Sequence, residues 1–152
     1  MSKAKANTFR CVECGKGTVR MAARAGRKQL YKMIELVLPA FVKVPTCDRC
    51  GAEYLSESSA AAEDAALEPL YRAELRQRAK AAIERLQPHV TEAELERLLG
   101  LSRGYLSRLR AAQRDPSPDL VALLTLLAKA PRSRVIELRR SWHDGVERKP
   151  AA

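Results

Sequence analysis

Apolar residues recur at helical spacing in two short, adjacent stretches of the C-terminal half. The first stretch has three leucines on one face: Leu95, Leu98 and Leu99. Thr91 stands at the N-cap position and Glu94 lies three residues on, which is the pattern of a capping box. Gly100 is expected to end this helix, because glycine adopts a left-handed backbone without steric cost.

A second short helix is predicted directly after that glycine. Leu101 fills the angle between the helices, Ser102 is expected to cap the second one, and Leu106 and Leu109 form its buried face. The opposite face carries polar and aromatic side chains: Arg103, Tyr105, Ser107 and Arg108. Two helices joined by a tight turn, with arginines early in the second, predict a helix-turn-helix whose second helix enters a DNA major groove.

Helical spacing also precedes this pair. Residues 56–88 carry an amphipathic stripe: Leu67, Tyr71, Leu75, Ala79, Ala82 or Ile83, and Leu86. Pro69 lacks a backbone N–H and should start or kink a helix. The pattern therefore predicts an Ala-rich helix to about Leu67 and a second helix from Pro69 to Leu86.

Two further helices are predicted after the pair. Ser117 caps the first and Pro118 starts it, and its apolar face consists of Leu120, Leu123, Leu124 and Leu127. Pro131 is expected to break this helix, and a final helix to run from Ser133 to His143. The single tryptophan, Trp142, either seals the helical core or lies in a dimer interface.

The N-terminal third has short apolar segments separated by turn residues, which is typical of strands. The predicted strands are Thr18 to Ala23, Arg27 to Val37 and, at the end, Ala52 to Leu55. Gly26 marks the turn between the first two. Pro39 and Pro45 limit Phe41 to Val44 to an edge segment, because proline cannot donate to a central strand ladder.

Four cysteines stand in two Cys-x2-Cys pairs: Cys11, Cys14, Cys47 and Cys50. Each tight loop points two sulfurs at one ion, and Gly15 and Gly51 let the backbone fold round the sulfurs. Four thiolates make a closed tetrahedral site with no open position for catalysis. The spacing predicts one structural Zn²⁺; the alternatives are a thioredoxin-like redox pair, an iron–sulfur cluster and free thiols.

These patterns predict an α+β chain with two domains. The expected order is a disordered tail (1–9), a zinc-binding β domain (10–56), a linker helix (57–68), a helix-turn-helix DNA-binding domain (69–145) and a second disordered tail (146–152). The spacer between the cysteine pairs has 32 residues, more than the ~15–20 of a minimal zinc ribbon. The small β domain should therefore be held mainly by its metal.

The charge pattern suits a polyanionic partner. The 152-residue chain has a formal charge of +10, and residues 1–55 carry 11 basic and 4 acidic groups. Nucleic acid is the usual partner of such a chain; the alternative is simply a soluble basic protein. Five basic residues of the β domain could contact phosphates or form a solvated sheet face: Arg20, Arg24, Arg27, Lys28 and Lys32.

The same composition predicts a cytoplasmic protein. Residues 1–10 are polar and basic with no apolar run behind them, so no signal peptide is evident. No stretch approaches the ~20 apolar residues of a membrane helix. In a reducing compartment, paired cysteines favour metal binding over disulfides.

Residues 91–117 resemble the helix-turn-helix of the lambda-repressor-like (XRE) regulators. The matching positions are Thr91, Glu94, Leu95, Arg97, Leu98, Gly100, Ser102, Arg103, Ser107, Arg108, Arg114, Pro116 and Ser117. Three features depart from that pattern. The family's phosphate-contacting glutamine is Glu92, its small alanine at the helix crossing is Glu96, and its Glu-Asn-Gly is residues 110–112. The fold accommodates these changes, but an anion at Glu92 would face a phosphate.

The expected contacts with DNA divide into two kinds. Arg103 and Arg108 are the candidates for base edges, because arginine reads guanine O6 and N7 bidentately. Tyr105 could contact a thymine methyl or a phosphate. The remaining candidates face the phosphate backbone: Ser102, Ser107, Arg110 and Arg114. For each arginine the alternative is a solvated surface charge.

A four-cysteine N-terminal domain joined by a helix to a lambda-repressor-like domain resembles the MqsA/YgiT-type antitoxins over about residues 10–140. The resemblance implies a structural zinc on the four cysteines, a C-terminal domain that dimerises on a palindrome in its own promoter, and an N-terminal domain that grips a ribonuclease toxin. Arg108 matches a base-reading arginine. Gly104 stands where the best-known member has a base-reading asparagine, so the operator sequence does not carry over. The lead before Cys11 and the basic tail after Asp144 also depart.

Two functions follow from these patterns. The first is a sequence-specific transcriptional regulator, a dimeric autorepressor. The second is an antitoxin that neutralises a ribonuclease toxin through its zinc domain. An enzyme is not indicated, since His89 and His143 lie in no nucleophile or phosphate motif and are expected at the surface.

Overall fold

The computed structural model describes residues 8–144. It is a mixed α+β structure, with a small sheet region in the N-terminal part and helices in the C-terminal part. Two compact units divide between Tyr71 and Arg72. The described residues leave out 1–7 and 146–152, which make up most of the two predicted tails. They also leave out Gly145, the expected end of the last helix.

Two antiparallel sheets form the first unit's strand region. The three-stranded sheet has the order β1-β2-β5, made of β1 (Phe9–Arg10), β2 (Thr18–Ala23) and β5 (Lys43–Cys47). The second sheet is a hairpin of β3 (Lys28–Tyr31) and β4 (Ile34–Val37). β5 lies at the edge of its sheet, as predicted for this segment, but it runs over Lys43–Cys47 with Pro45 inside it, opposite Met21, and not over residues 41–44.

Three strand predictions need correction. The single strand expected over Arg27–Val37 is wrong, because Lys32 and Met33 turn the chain with φ of 45° and 70°. Residues 52–55 form no strand; Glu53 alone makes an isolated bridge to Thr46. Residues 9–10, assigned in part to the tail, form β1, because their backbone pairs with the start of β2.

One helix replaces the two predicted around Pro69. α1 runs unbroken over Glu57–Leu86, with Pro69 in its interior, so the predicted division between a linker helix and a new helix at this residue is wrong. Proline costs an interior helix a hydrogen bond and some steric strain. The buried stripe nevertheless continues in phase on both sides, since Leu67 and Tyr71 are as fully buried as Leu75.

The second unit continues with four shorter helices, α2 (Glu92–Leu98), α3 (Tyr105–Arg110), α4 (Pro118–Lys129) and α5 (Pro131–Asp144). Their buried side chains are mostly leucine and valine: Leu95, Leu106, Leu109, Leu120, Val121, Leu124, Leu127 and Val135. Two of the three predicted N-caps are confirmed, those of α2 and α4. The Thr91 hydroxyl accepts from Glu94 N–H, and the Ser117 hydroxyl accepts from Leu120 N–H. α5 begins at Pro131, two residues before the predicted start, because proline is favoured in the first helical position.

Trp142 does not seal the core of the unit. Its side chain is 61% exposed, and its indole N–H donates to the Leu98 carbonyl at 3.0 Å. One turn earlier in α5, Arg139 pairs with Glu94 at 2.7 Å. These two contacts tie α5 to both ends of α2.

Candidate metal centre and candidate nucleic-acid surface

The two cysteine pairs lie in two loops of the same construction. Each loop is closed by a backbone hydrogen bond from the glycine to the first cysteine. Gly15 N–H donates to Cys11 O at 3.0 Å, and Gly51 N–H donates to Cys47 O at 3.1 Å. Both glycines have positive φ, 62° and 73°, a conformation that side chains other than glycine adopt only at a cost. Glycine is thus the residue that this position of each loop favours.

The loops bring all four predicted ligands together. The four Sγ atoms lie within 4.8 Å of one another, with Cys11 and Cys50 at 3.6 Å and Cys14 and Cys47 at 3.8 Å. A tetrahedral ion with Zn–S bonds of about 2.3 Å needs sulfurs about 3.8 Å apart. The four cysteines are therefore within metal-binding distance, and their soft donor set fits an ion of the zinc type.

Hydrogen bonds from neighbouring residues also reach the sulfurs. Gly17 N–H donates to Cys14 Sγ at 3.3 Å and Arg49 N–H donates to Cys47 Sγ at 3.4 Å. The Tyr54 hydroxyl lies 3.1 Å from Cys11 Sγ. Such outer contacts orient metal ligands and spread thiolate charge. Sequence reasoning missed Tyr54, since a tyrosine four residues after the last cysteine carries no motif.

The thiols differ in acidity. The hydroxyl of Tyr54, together with a backbone N–H of Cys14, lowers the pKa of Cys11 to about 6 despite the opposing effect of burial. The Ala52 N–H lowers the pKa of Cys50, but burial and the neighbouring thiols outweigh it and raise that pKa to about 12. Because thiolates are the form that binds a metal ion, metal binding at this cluster is coupled to proton release.

The turn between α2 and α3 is capped differently from the prediction. Ser102 is not the cap of α3; the N-cap is Gly104, with φ of 73° and no side chain to accept a hydrogen bond. Glu96 of α2, only 4% exposed, fills this role. Its two carboxylate oxygens accept from Gly104 N–H and Leu106 N–H, both at 2.9 Å. Sequence reasoning treated Glu96 only as a departure from a family pattern.

The structure brings most predicted DNA contacts into two groups, one around Arg108 and one formed by Tyr105 and Arg114. In the first group, the Arg108 guanidinium lies 3.5 Å from both Arg103 O and Ser102 Oγ. The Ser107 hydroxyl donates to Gly104 O at 2.9 Å. In the second group, the Arg114 guanidinium stacks 4.6 Å from the centre of the ring of Tyr105, which begins α3.

Arg110 stands apart from these groups. Its guanidinium pairs with Glu92 at 3.2 Å, and the same carboxylate accepts from Gln87 Nε2 at 2.9 Å. Glu92 of α2 is therefore the ion-pair partner of Arg110 on α3. This pairing offsets the charge that Arg110 would offer to a phosphate.

Most basic residues of the β region form ion pairs with acidic residues of the described chain. Arg24 and Arg27 pair with Glu53, and Arg27 also reaches the buried Glu63. Ion pairs with acidic neighbours likewise hold two lysines: Lys28 with Glu35 and Lys32 with Glu68. Four of the five predicted phosphate contacts there are thus in ion pairs, which favours the solvated-face alternative.

The rest of the described chain adds three findings. His89 and His143 are both exposed, as predicted. No helix within residues 8–144 combines the length and apolar character needed to cross a membrane. No protein-family model matches the chain, and no curated protein matches it significantly.

Proposed function

We propose that the protein is a sequence-specific DNA-binding transcriptional regulator, acting as a dimeric autorepressor of the MqsA type. The observation that carries the proposal is the arrangement of α2 and α3, two short helices joined by a turn with Gly100 at φ of 66°. Leu106 and Leu109 bury the inner face of α3. The outer face keeps Arg108 partly accessible, beside the exposed Arg103, as a recognition helix requires.

Each side chain has a distinct role in this proposal. Arg103 and Arg108 read guanine edges in the major groove. Tyr105, held by the stacked Arg114, contacts the sugar–phosphate backbone or a thymine methyl. The Cys11 and Cys47 loops hold one zinc ion with Cys14 and Cys50. When bound, that ion supplies a structural cross-link and no chemistry.

Self-association is part of the proposal, because two-fold symmetric repressors bind two half-sites. α4 and α5 present a groove lined by leucines, with Leu123 40% and Leu126 55% exposed. Arg134 and Glu137 form an ion pair at its rim, a pair of opposite charges that a second copy can match. Sedimentation equilibrium of the full chain measures this association.

The direct test is binding to the DNA upstream of the protein's own gene, across a salt series and with excess random competitor. Retention against competitor, with protection centred on an inverted repeat, supports a dimeric repressor. The salt dependence then counts the phosphate contacts. Binding that disappears with competitor contradicts the proposal.

A second candidate function is neutralisation of a ribonuclease toxin by the N-terminal unit. The observation that favours it is a set of exposed apolar side chains on the β3–β4 hairpin and the loop after it: Leu30, Met33, Val37 and Phe41. Exposed apolar patches commonly mark protein interaction sites. Co-expression with the neighbouring reading frame tests it: co-purification and loss of ribonuclease activity support this function, and independent elution contradicts it.

A further inference from the structure

We propose that Glu96 is a positioning residue for DNA recognition, whose carboxylate fixes α3 against α2 and so sets the direction of the base-reading arginines. This inference rests on the proposed DNA-binding function. It concerns a residue that contacts no DNA in that proposal, because Glu96 is buried at the crossing of the two helices.

The start of α3 needs an acceptor from elsewhere in the chain. The first N–H groups of a helix have no partner within it, and the N-cap of α3 is a glycine with no side chain. Glu96 supplies both of its oxygens, one to Gly104 and one to Leu106. A buried carboxylate is stable only with such partners, and hydrogen bonds to an ionised acceptor are the stronger kind.

These two contacts hold the part of α3 that carries the arginines. Gly104 directly follows Arg103, and Leu106 lies two residues before Arg108. The Arg108 guanidinium also approaches the Arg103 carbonyl at 3.5 Å, so both arginines depend on the same backbone segment. A bidentate contact with guanine requires close alignment, and a shift of α3 would misalign both arginines at once.

Two other glutamates of α2 do not share this position. Glu92 and Glu94 are partly exposed and pair with arginine side chains, Arg110 and Arg139. Glu96 directs both oxygens to backbone N–H groups instead. Of these three glutamates of α2, Glu96 is the one that contacts the backbone at the start of α3.

The experiment compares Glu96→Gln and Glu96→Ala with the wild-type full chain at one salt concentration. Affinity is measured for the upstream site and for a random duplex, and amide exchange is followed at Gly104 and Leu106. We expect the ratio of specific to random affinity to fall about 10-fold or more, as for loss of a charge-assisted hydrogen bond. Random-duplex affinity should stay unchanged, because phosphate charge carries it. Exchange should accelerate at both amides in Glu96→Ala and at no fewer than one of them in Glu96→Gln, because the glutamine side chain keeps a single acceptor oxygen.

Matched variants separate positioning from stability. Glu94→Gln changes a carboxylate on the same helix without touching α3, and Val135→Ala removes a buried side chain on α5. Both should keep the affinity ratio, even if Val135→Ala lowers the melting temperature as much as Glu96→Gln does. If Glu96→Gln folds and keeps the wild-type ratio, the inference is wrong. If the wild type itself shows no preference for the upstream site, the proposed function fails instead.

If Glu96→Ala fails to fold, the inference is still tested by Glu96→Gln and by amide exchange in the wild-type protein. In the wild type, slow exchange at Gly104 and Leu106 is required. Rapid exchange at these amides in the folded wild-type protein would mean that the carboxylate does not hold them, and would overturn the inference.

Discussion

Gly17 lies directly against the sulfur of Cys47. A Cβ atom added to Gly17 would overlap Cys47 Sγ and would lie 2.8 Å from Arg49 Cβ. Its φ is not in the left-handed region, so this glycine is needed for space and not for backbone freedom. We expect Gly17→Ala to weaken zinc binding about 10- to 100-fold, the usual range for disturbed outer contacts of a metal site. Competition with a chromophoric chelator measures the change.

Gly15→Ala is the matched control for that variant. Gly15 has φ of 62°, but nothing lies within 4 Å of an added Cβ. The alanine there should cost roughly 1–2 kcal/mol of backbone strain while leaving the sulfurs in place. Equal zinc affinities for Gly17→Ala and wild type would show that the sulfur cluster tolerates the methyl group, against the prediction.

Removal of the metal should affect the two units differently. Structural zinc contributes about 10–16 kcal/mol of apparent binding free energy in small zinc domains, whereas the helical unit has its own buried core around Leu106 and Leu124. Stripping with a strong chelator should therefore accelerate amide exchange in residues 9–55. Fluorescence of Trp142, which lies in the helical unit, should stay constant. A Trp142 change that accompanies metal loss would contradict this independence.

The sequence predicted the cysteine site well because its chemistry is local. A Cys-x2-Cys-Gly segment specifies a tight loop by itself. A metal site then requires only that two such loops lie side by side. Thr18–Ala23 was likewise predicted with its observed bounds. The β3–β4 hairpin was missed because its two-residue turn consists of Lys32 and Met33 in place of Asn-Gly, the usual pair for a turn with two positive φ angles. Tertiary packing of Ile34 and Leu36, both buried, imposes this turn on residues that disfavour it.

Met33→Gly should consequently stabilise the protein. Met33 is 86% exposed, so its replacement loses little packing, and it removes left-handed strain of roughly 1–2 kcal/mol. The greater freedom of glycine in the unfolded chain offsets about 0.5–1 kcal/mol of this gain. Leu30→Gly in the adjacent strand is the control and should destabilise. Urea unfolding of the metal-loaded protein measures both, and a less stable Met33→Gly would contradict the assigned turn.

Tyr31 should make stability depend on alkaline pH. Burial raises its pKa, and so does its hydrogen bond to Glu68, whose carboxylate accepts the hydroxyl at 2.9 Å. The folded state therefore favours neutral tyrosine. This contribution is fully present below the unfolded pKa of about 10 and is lost as pH rises through the higher folded pKa.

The measurement is the difference in unfolding free energy between wild type and Tyr31→Phe across that range. Tyr54, whose pKa is also raised, is present in both proteins and cancels in the difference. We expect the advantage of the wild type to shrink above about pH 10. A difference that stays constant through this range would show that Tyr31 titrates normally.

The α2–α3 region was less predictable than the metal site. The burial of Leu95, Leu106 and Leu109, the Thr91 cap and the left-handed Gly100 depend on neighbours in sequence and were observed, whereas Leu98 and Leu99 of the predicted face are only half-buried. Glu96 was not foreseen as the cap of α3, because its partners lie 8 and 10 residues away. Ser102, a common cap residue, was favoured by sequence alone. Such a cap depends on how two helices cross, which local propensity does not specify.

Arg108→Ala provides the sharpest test of direct readout. Arg108 is partly buried on α3 with its guanidinium beside Arg103, and as a guanine reader its loss should cost about 1–3 kcal/mol at the specific site and relax preference at one base pair. Arg110→Ala is the matched control on the same helix, since its charge is already paired with Glu92. Arg110→Ala should lower the affinity for all DNA sequences slightly and by the same factor. Selection of bound sequences from a randomised operator compares the two, and a uniform loss for Arg108→Ala would reassign that residue to the phosphate backbone.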